Sequence, residues 1–167
     1  MPNHCNNRVE IHCKTVEQAK EIKDFLHSEE TCFDFNNIVP KPNWQKTPLT
    51  GKEKSWVGVS EPRGKVGELP VKDEEFTGAI GTFWKFASTG KQDDRWYHWQ
   101  ITHWGTKWNT YDAYEDGTDE ELIYHFNTAW SPPEQAINAL RKIYTEDMGV
   151  SITAWFDEPG CQIGGYY

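Results

Sequence analysis

The 167 residues predict an α+β fold of the split βαβ type, and three features carry that expectation. Residues 8–13 alternate strictly between apolar and polar side chains and run directly into helical periodicity over 15–28. The same succession recurs near the C-terminus, where two aromatic strands at 107–114 and 121–130 lead into a helix and then a strand at 150–156. Between the two halves, residues 41–93 lose regular patterning altogether.

In the first strand, Val9, Ile11 and Cys13 share one face while Arg8, Glu10 and His12 share the other, which predicts a half-buried strand. Thr15 and Gln18 stand at capping-box spacing and open a helix whose apolar face carries Val16, Ala19, Ile22, Phe25 and Leu26. Residues 33–39 read as the next strand, stopped by Pro40 and Pro42. Seven prolines and glycines between 48 and 70 disfavour any long element there. Residues 41–93 are therefore expected to be an insertion within a single domain spanning 1–167, with 51–75 its least regular part and a helix over 76–87. Asp94 can cap a helix through 95–104, and Gly105 suits the left-handed position that closes it. Apolar bulk on both faces of that helix predicts burial. Residues 107–114 and 121–130 form a hairpin across a turn at 115–119. On its second strand Leu122, Tyr124, Phe126 and Thr128 face a core, and Ile123, His125, Asn127 and Ala129 face away. Ser131 can cap the following helix, with Pro132 and Pro133 in its first turn and Glu134 completing a capping box. That helix buries Ala136, Ile137, Leu140, Ile143 and Tyr144, and Gly149 ends it. Val150, Ile152, Ala154 and Phe156 point inward on the next strand, and residues 160–167 can add an edge strand.

Composition limits the function. A hydrophobic fraction of 37% with strongly negative mean hydropathy, and no run of about twenty apolar residues, excludes a spanning helix. The start of the chain has no apolar signal region, which predicts a cytoplasmic protein with reduced cysteines. His4, Cys5, His12 and Cys13 lie close in sequence, yet neighbours on a strand point to opposite faces, so no metal site is expected. The net charge of −9 is concentrated: residues 101–167 hold eleven acids against Lys107, Arg141 and Lys142. Six of those acids, Asp112, Glu115, Asp116, Asp119, Glu120 and Glu121, fall within ten residues that contain no base. Such a chain is a poor generic binder of nucleic-acid backbone.

No motif demands catalysis or a cofactor. No phosphate loop, nucleophile elbow or calcium loop is present, and the six histidines are scattered. The carboxylates of 112–121 are numerous enough for a hydrolase, but a hairpin tip lacks the apolar walls that separate acid from base. Lys107 stands between Trp104 and Trp108 and suggests a cation held against rings. Outward aromatics (Trp155, with Tyr111 or Trp108) keep single-stranded nucleic-acid binding as an alternative, although the ribonucleoprotein signature is missing and the charge has the wrong sign.

The motifs NHCNN at 3–7, FNNIVPKP at 35–42, WGTKWN at 104–109 and FNTAWSPP at 126–133 together resemble the YubB-like, ferredoxin-like domain family of conjugative plasmids and bacteriophages. The likeness spans nearly the whole chain, is weakest over 43–93, and departs at His4, where the family has an aromatic residue. It implies a ferredoxin-like fold and a mobile-element setting, and supplies no catalytic residues. The resulting expectation is a non-enzymatic accessory protein that binds a host protein or nucleoprotein complex. It would act as an acidic inhibitor of a nucleic-acid-binding defence complex. The contact residues would be the six acids named above together with Trp104, Lys107 and Trp108.

Overall fold

The computed structural model describes residues 3–43 and 95–167. The chain divides into two compact units, one formed by 1–40 with 100–167 and the other by 41–99. Most of the expected insertion at 41–93, including its helix at 76–87, and the cap at Asp94 lie outside the described residues.

The first unit is a five-stranded antiparallel sheet. Its strands are β1 (His4–His12), β2 (Tyr111–Gly117), β3 (Glu121–Ala129), β4 (Ser151–Glu158) and β5 (Ile163–Tyr166). They lie in the order β2-β3-β1-β4-β5. The helices are α1 (Val16–Leu26), α2 (Phe35–Ile38), α3 (Arg95–Trp104) and α4 (Glu134–Ile143), with a 3-10 turn at Glu146–Met148. Two split βαβ halves with β1 and β3 at the centre make this a ferredoxin-like α+β fold, and β5 extends it along β4.

One face of the sheet is covered by α1, α2 and α4. Cys5, Val9, Ile11, Leu122, Tyr124, Phe126 and Ala154 are buried there, as the alternation of β1, β3 and β4 predicts. Phe33 stacks on Phe126 at 4.9 Å and meets Tyr124 at 5.0 Å between ring centres, so these rings form the middle of the core.

Five local expectations are corrected. Residues 33–39 do not form a strand: Asp34 accepts a hydrogen bond from the Asn36 amide at 2.8 Å and starts the short helix α2, with Phe35 and Ile38 buried. Because of this, the first split half is closed by β2. β2 begins at Tyr111 rather than Lys107, since residues 105–110 tie other segments together instead of pairing. Ser131 does not cap α4; its hydroxyl donates to Gly105 O at 2.6 Å, and Pro133 occupies the cap without a side-chain bond. Val16 and Ile143 are exposed, each standing at a helix terminus beyond the reach of the core. On α3 only the faces carrying Arg95, Gln100 and Trp104 are buried, while Trp96, Tyr97 and Ile101 are exposed. Gly105, at φ +89°, closes that helix as expected, its amide reaching Ile101 O at 3.1 Å.

Candidate partner-binding surface

The motifs that look most distinctive in the sequence turn out to hold the fold together. Asn109 accepts from the Phe35 amide at 3.0 Å and donates to Asp34 at 2.8 Å. Thr110 donates to Phe33 O at 2.6 Å, Thr106 to Ala129 O at 2.9 Å, and the Trp104 indole to Val39 O at 2.9 Å. Buried Asn7 donates to Cys5 O and to Thr128, and accepts from the Tyr167 hydroxyl at 3.2 Å. These bonds give buried or partly buried backbone and side-chain groups a hydrogen-bond partner. Trp104 is fully buried against Phe35, so it belongs to the core and not to a contact surface.

The remaining expected contact residues are distributed over the β2–β3 hairpin. Asp116, Asp119 and Glu120 are exposed at its turn. Glu121 sits beside His12 at 3.4 Å on the outward face of the sheet. Glu115 points to the covered side, where Lys23 of α1 lies 2.5 Å away. Asp112 occupies a left-handed bulge (φ 51°) between the registered pairs of Tyr111 and Tyr114, and accepts from Asn127 at 3.3 Å. That bulge twists the β2 edge and breaks its row of free backbone groups. Lys107 and Trp108 precede β2 at the end of the hairpin opposite the turn, beside Trp130, which follows β3, and β2 itself spans six residue steps or about 20 Å. Lys107 Nζ stands 4.2 Å from the Trp108 ring and 5.1 Å from that of Trp130, so Trp130 takes the place expected of Trp104. Trp108 and Trp130 are 42% and 57% exposed.

Between these two ends runs the outward face of the sheet, and sequence reading recovered only a part of it. The registers Tyr114↔His125, His125↔Arg8, Arg8↔Trp155 and Trp155↔Tyr166 place five side chains in one row across all five strands. Four strand spacings make the row about 19 Å long. Tyr114 and His125 stack at 4.8 Å with 11° between their planes. Tyr114, Trp155 and Tyr166 are 57%, 38% and 78% exposed. Alternation alone predicted Trp155 outward. The row needs the inter-strand register, which the sequence does not state.

The next row carries Asp116, Ile123, Glu10 and Thr153. Arg8 pairs with Glu10 at 2.6 Å. Arg8, Glu10, Thr153, Trp155 and Tyr166 line a cavity of about 220 Å³. Among the described strand residues facing outward, Arg8 is the permanent cation against Glu10, Asp116, Glu121 and Asp157. His4 adds a ring contact at the edge, its Nδ1 2.7 Å from the Tyr111 hydroxyl.

The four cysteines are free thiols. Burial, followed by the nearby Glu158 and Asp157 charges and partly offset by a hydrogen bond with Thr128, pushes Cys5 up to about 11. Burial likewise raises Cys13 and Cys32. Such thiols are mostly protonated at neutral pH and weak as nucleophiles. Among the described residues, no three His, Cys, Asp or Glu side chains stand together for a metal ion, and no helix is long and apolar enough to cross a membrane.

Residues 103–167 match a family model described as the ferredoxin-like domain in Api92-like protein. The crystal structure of protein api92 from Yersinia pseudotuberculosis is similar in fold at a TM-score of 0.53 and 12% identity, covering 99% of this chain and 93% of that one. No curated protein sequence matches significantly.

Proposed function

We propose that this domain is a non-catalytic protein-binding module that engages a basic partner through its outward sheet face and its acidic hairpin. In the mobile-element setting that its motifs suggest, the partner would be a host nucleic-acid-binding complex of restriction or CRISPR type. The domain would inhibit it in the cytoplasm of the bacterial host, without a cofactor. The observation that carries this reading is the five-residue row across the sheet, rimmed by carboxylates. Exposed tyrosine and tryptophan anchor interfaces at low entropic cost, and surrounding carboxylates steer a basic surface toward them.

The same flat row favours a second reading, in which bases of a single strand stack on it. Charge weighs against that, because phosphate binding needs cations and this face presents carboxylates.

A competition titration tests the first reading. A restriction or CRISPR complex carrying labelled DNA is mixed with increasing amounts of the domain at two salt concentrations. The wild type should release the DNA, less readily at high salt. Reversing Asp116, Asp119 and Glu120 to Lys should weaken release by about tenfold or more, chiefly through the association rate. No release at saturation, together with submicromolar binding of mixed-sequence single-stranded RNA that Trp155→Ala abolishes, would install the second reading instead.

A further inference from the structure

We infer that the cavity between Trp155 and Tyr166 is a receptor for a single arginine side chain of the partner; this rests on the protein-binding reading above and specifies its anchor. Size comes first. Pockets for small molecules and cofactors run from about 300 to 1,000 Å³. At about 220 Å³ this one suits one long side chain better. Its walls supply what a guanidinium recognises. Trp155 and Tyr166 are cross-strand neighbours that line the cavity, and aromatic rings attract a planar cation. Glu10 offers a carboxylate that can accept two parallel N–H bonds, and its side chain is 28% exposed.

The site already holds such a contact within the chain. Arg8 lies beside Trp155 in register and pairs with Glu10. Exposed ion pairs of this kind contribute little net stability, so an incoming guanidinium can exchange with Arg8 on Glu10 at small cost. Arg8 is 46% exposed even while paired with Glu10, so its head can be solvated once displaced. A lysine ammonium would gain less, because it cannot pair in bidentate fashion or stack as a plane. Charge complementarity points to the same ligand: the chain carries −9, and Asp116, Glu121 and Asp157 share the outward face with Glu10.

The test uses labelled hexa-arginine and hexa-lysine peptides of equal charge, with fluorescence anisotropy against the full chain at low and physiological salt. The arginine peptide should bind at least about threefold more tightly than the lysine peptide, a preference that Trp155→Ala or Tyr166→Ala removes. Glu10→Gln should weaken arginine-peptide binding about tenfold. Arg8→Ala should tighten it, because the internal competitor is gone; this second variant reads a gain, which a folding defect cannot mimic. Equal affinity for the two peptides overturns the proposal, as does weaker binding by Arg8→Ala. If the peptides bind equally, ignore Trp155→Ala and respond only to the Asp116, Asp119 and Glu120 reversals, the arginine receptor falls while the acidic binding surface stands. Tight binding of a mixed-sequence single-stranded RNA, lost in Arg8→Ala, would overturn both.

Discussion

β3 passes between two environments. On one side Leu122, Tyr124, Phe126 and Thr128 are buried beneath helices; on the other Ile123, His125 and Asn127 remain partly open to solvent between β1 and β2. The first set is fixed by packing, with little room for chemistry. The second pairs across strands, alongside residues whose types matter individually: a guanidinium, a carboxylate and exposed rings. The difference assigns stability to the covered face and leaves the outward face to the recognition proposed above, a contrast that mutation can break or sharpen.

The largest effect belongs to the covered face. Phe126→Ala removes a ring stacked on Phe33 and edge-on to Phe35, and should cost about 3–5 kcal/mol in urea unfolding. His125→Ala, one residue away, should cost no more than about 1 kcal/mol, the scale of its stacking with Tyr114. Equal losses would mean that both faces are structural.

Next comes the network of motif residues. Gly105→Ala places a Cβ at positive φ against the Gln135 side chain and the backbone of Pro132 and Glu134, and should destabilise by about 1–3 kcal/mol. Asn109→Ala strands the Phe35 amide and removes a donor from Asp34, with a cost of about 1–3 kcal/mol by the same measurement.

Asp34 gives this network a pH signature. Burial alone would raise its pKa, but hydrogen bonds from the Asn36 amide and the Ser28, Asn109 and Asn36 side chains outweigh it and hold the carboxyl below its ordinary range. A group lowered on folding contributes stability above its unfolded value, and that contribution is lost as pH falls through the folded value. Asp34→Asn should therefore lower the melting temperature at neutral pH. It should also flatten the decline below about pH 4, where the wild type gives up this contribution.

The smallest stability effect is expected at the hairpin turn. Reversing Asp116, Asp119 and Glu120 to Lys should shift stability by no more than about 0.5 kcal/mol each in a thermal melt.

These contrasts explain what the sequence could reveal. Alternation in β1 and, as far as Thr128, in β3, the Thr15 cap and the glycine stop at 105 are local signals, and the structure bears them out. Ala129, expected outward, is buried, and Gly149 closes the separate 3-10 turn at Glu146–Met148 because α4 already ends at Ile143. The error over 33–39 arose because Phe33 and Phe35 alternate like strand residues; the Asp34 carboxylate that turns them into a helix start is completed by Asn109, 75 residues away. Ser131 misled for the same reason: its hydroxyl is claimed by Gly105 O, 26 residues earlier. The acidic stretch was legible as composition, but β-strand alternation and a bulge send Glu115, Asp112 and Glu121 in different directions. The outward row was hardly legible at all, because its members are spread over five strands and meet only through register.

The most direct test of recognition by the outward face is a two-dimensional NMR titration of the isotope-labelled chain with hexa-arginine peptide. Shifts should concentrate at Arg8, Glu10, the Trp155 indole, Tyr166 and the 116–121 turn, leaving α1 and α4 unchanged. A second groove lies between α1 and the hairpin, lined by Val16, Lys20, Lys23 and Leu122; shifts centred there, with the Trp155 indole unmoved, would contradict it.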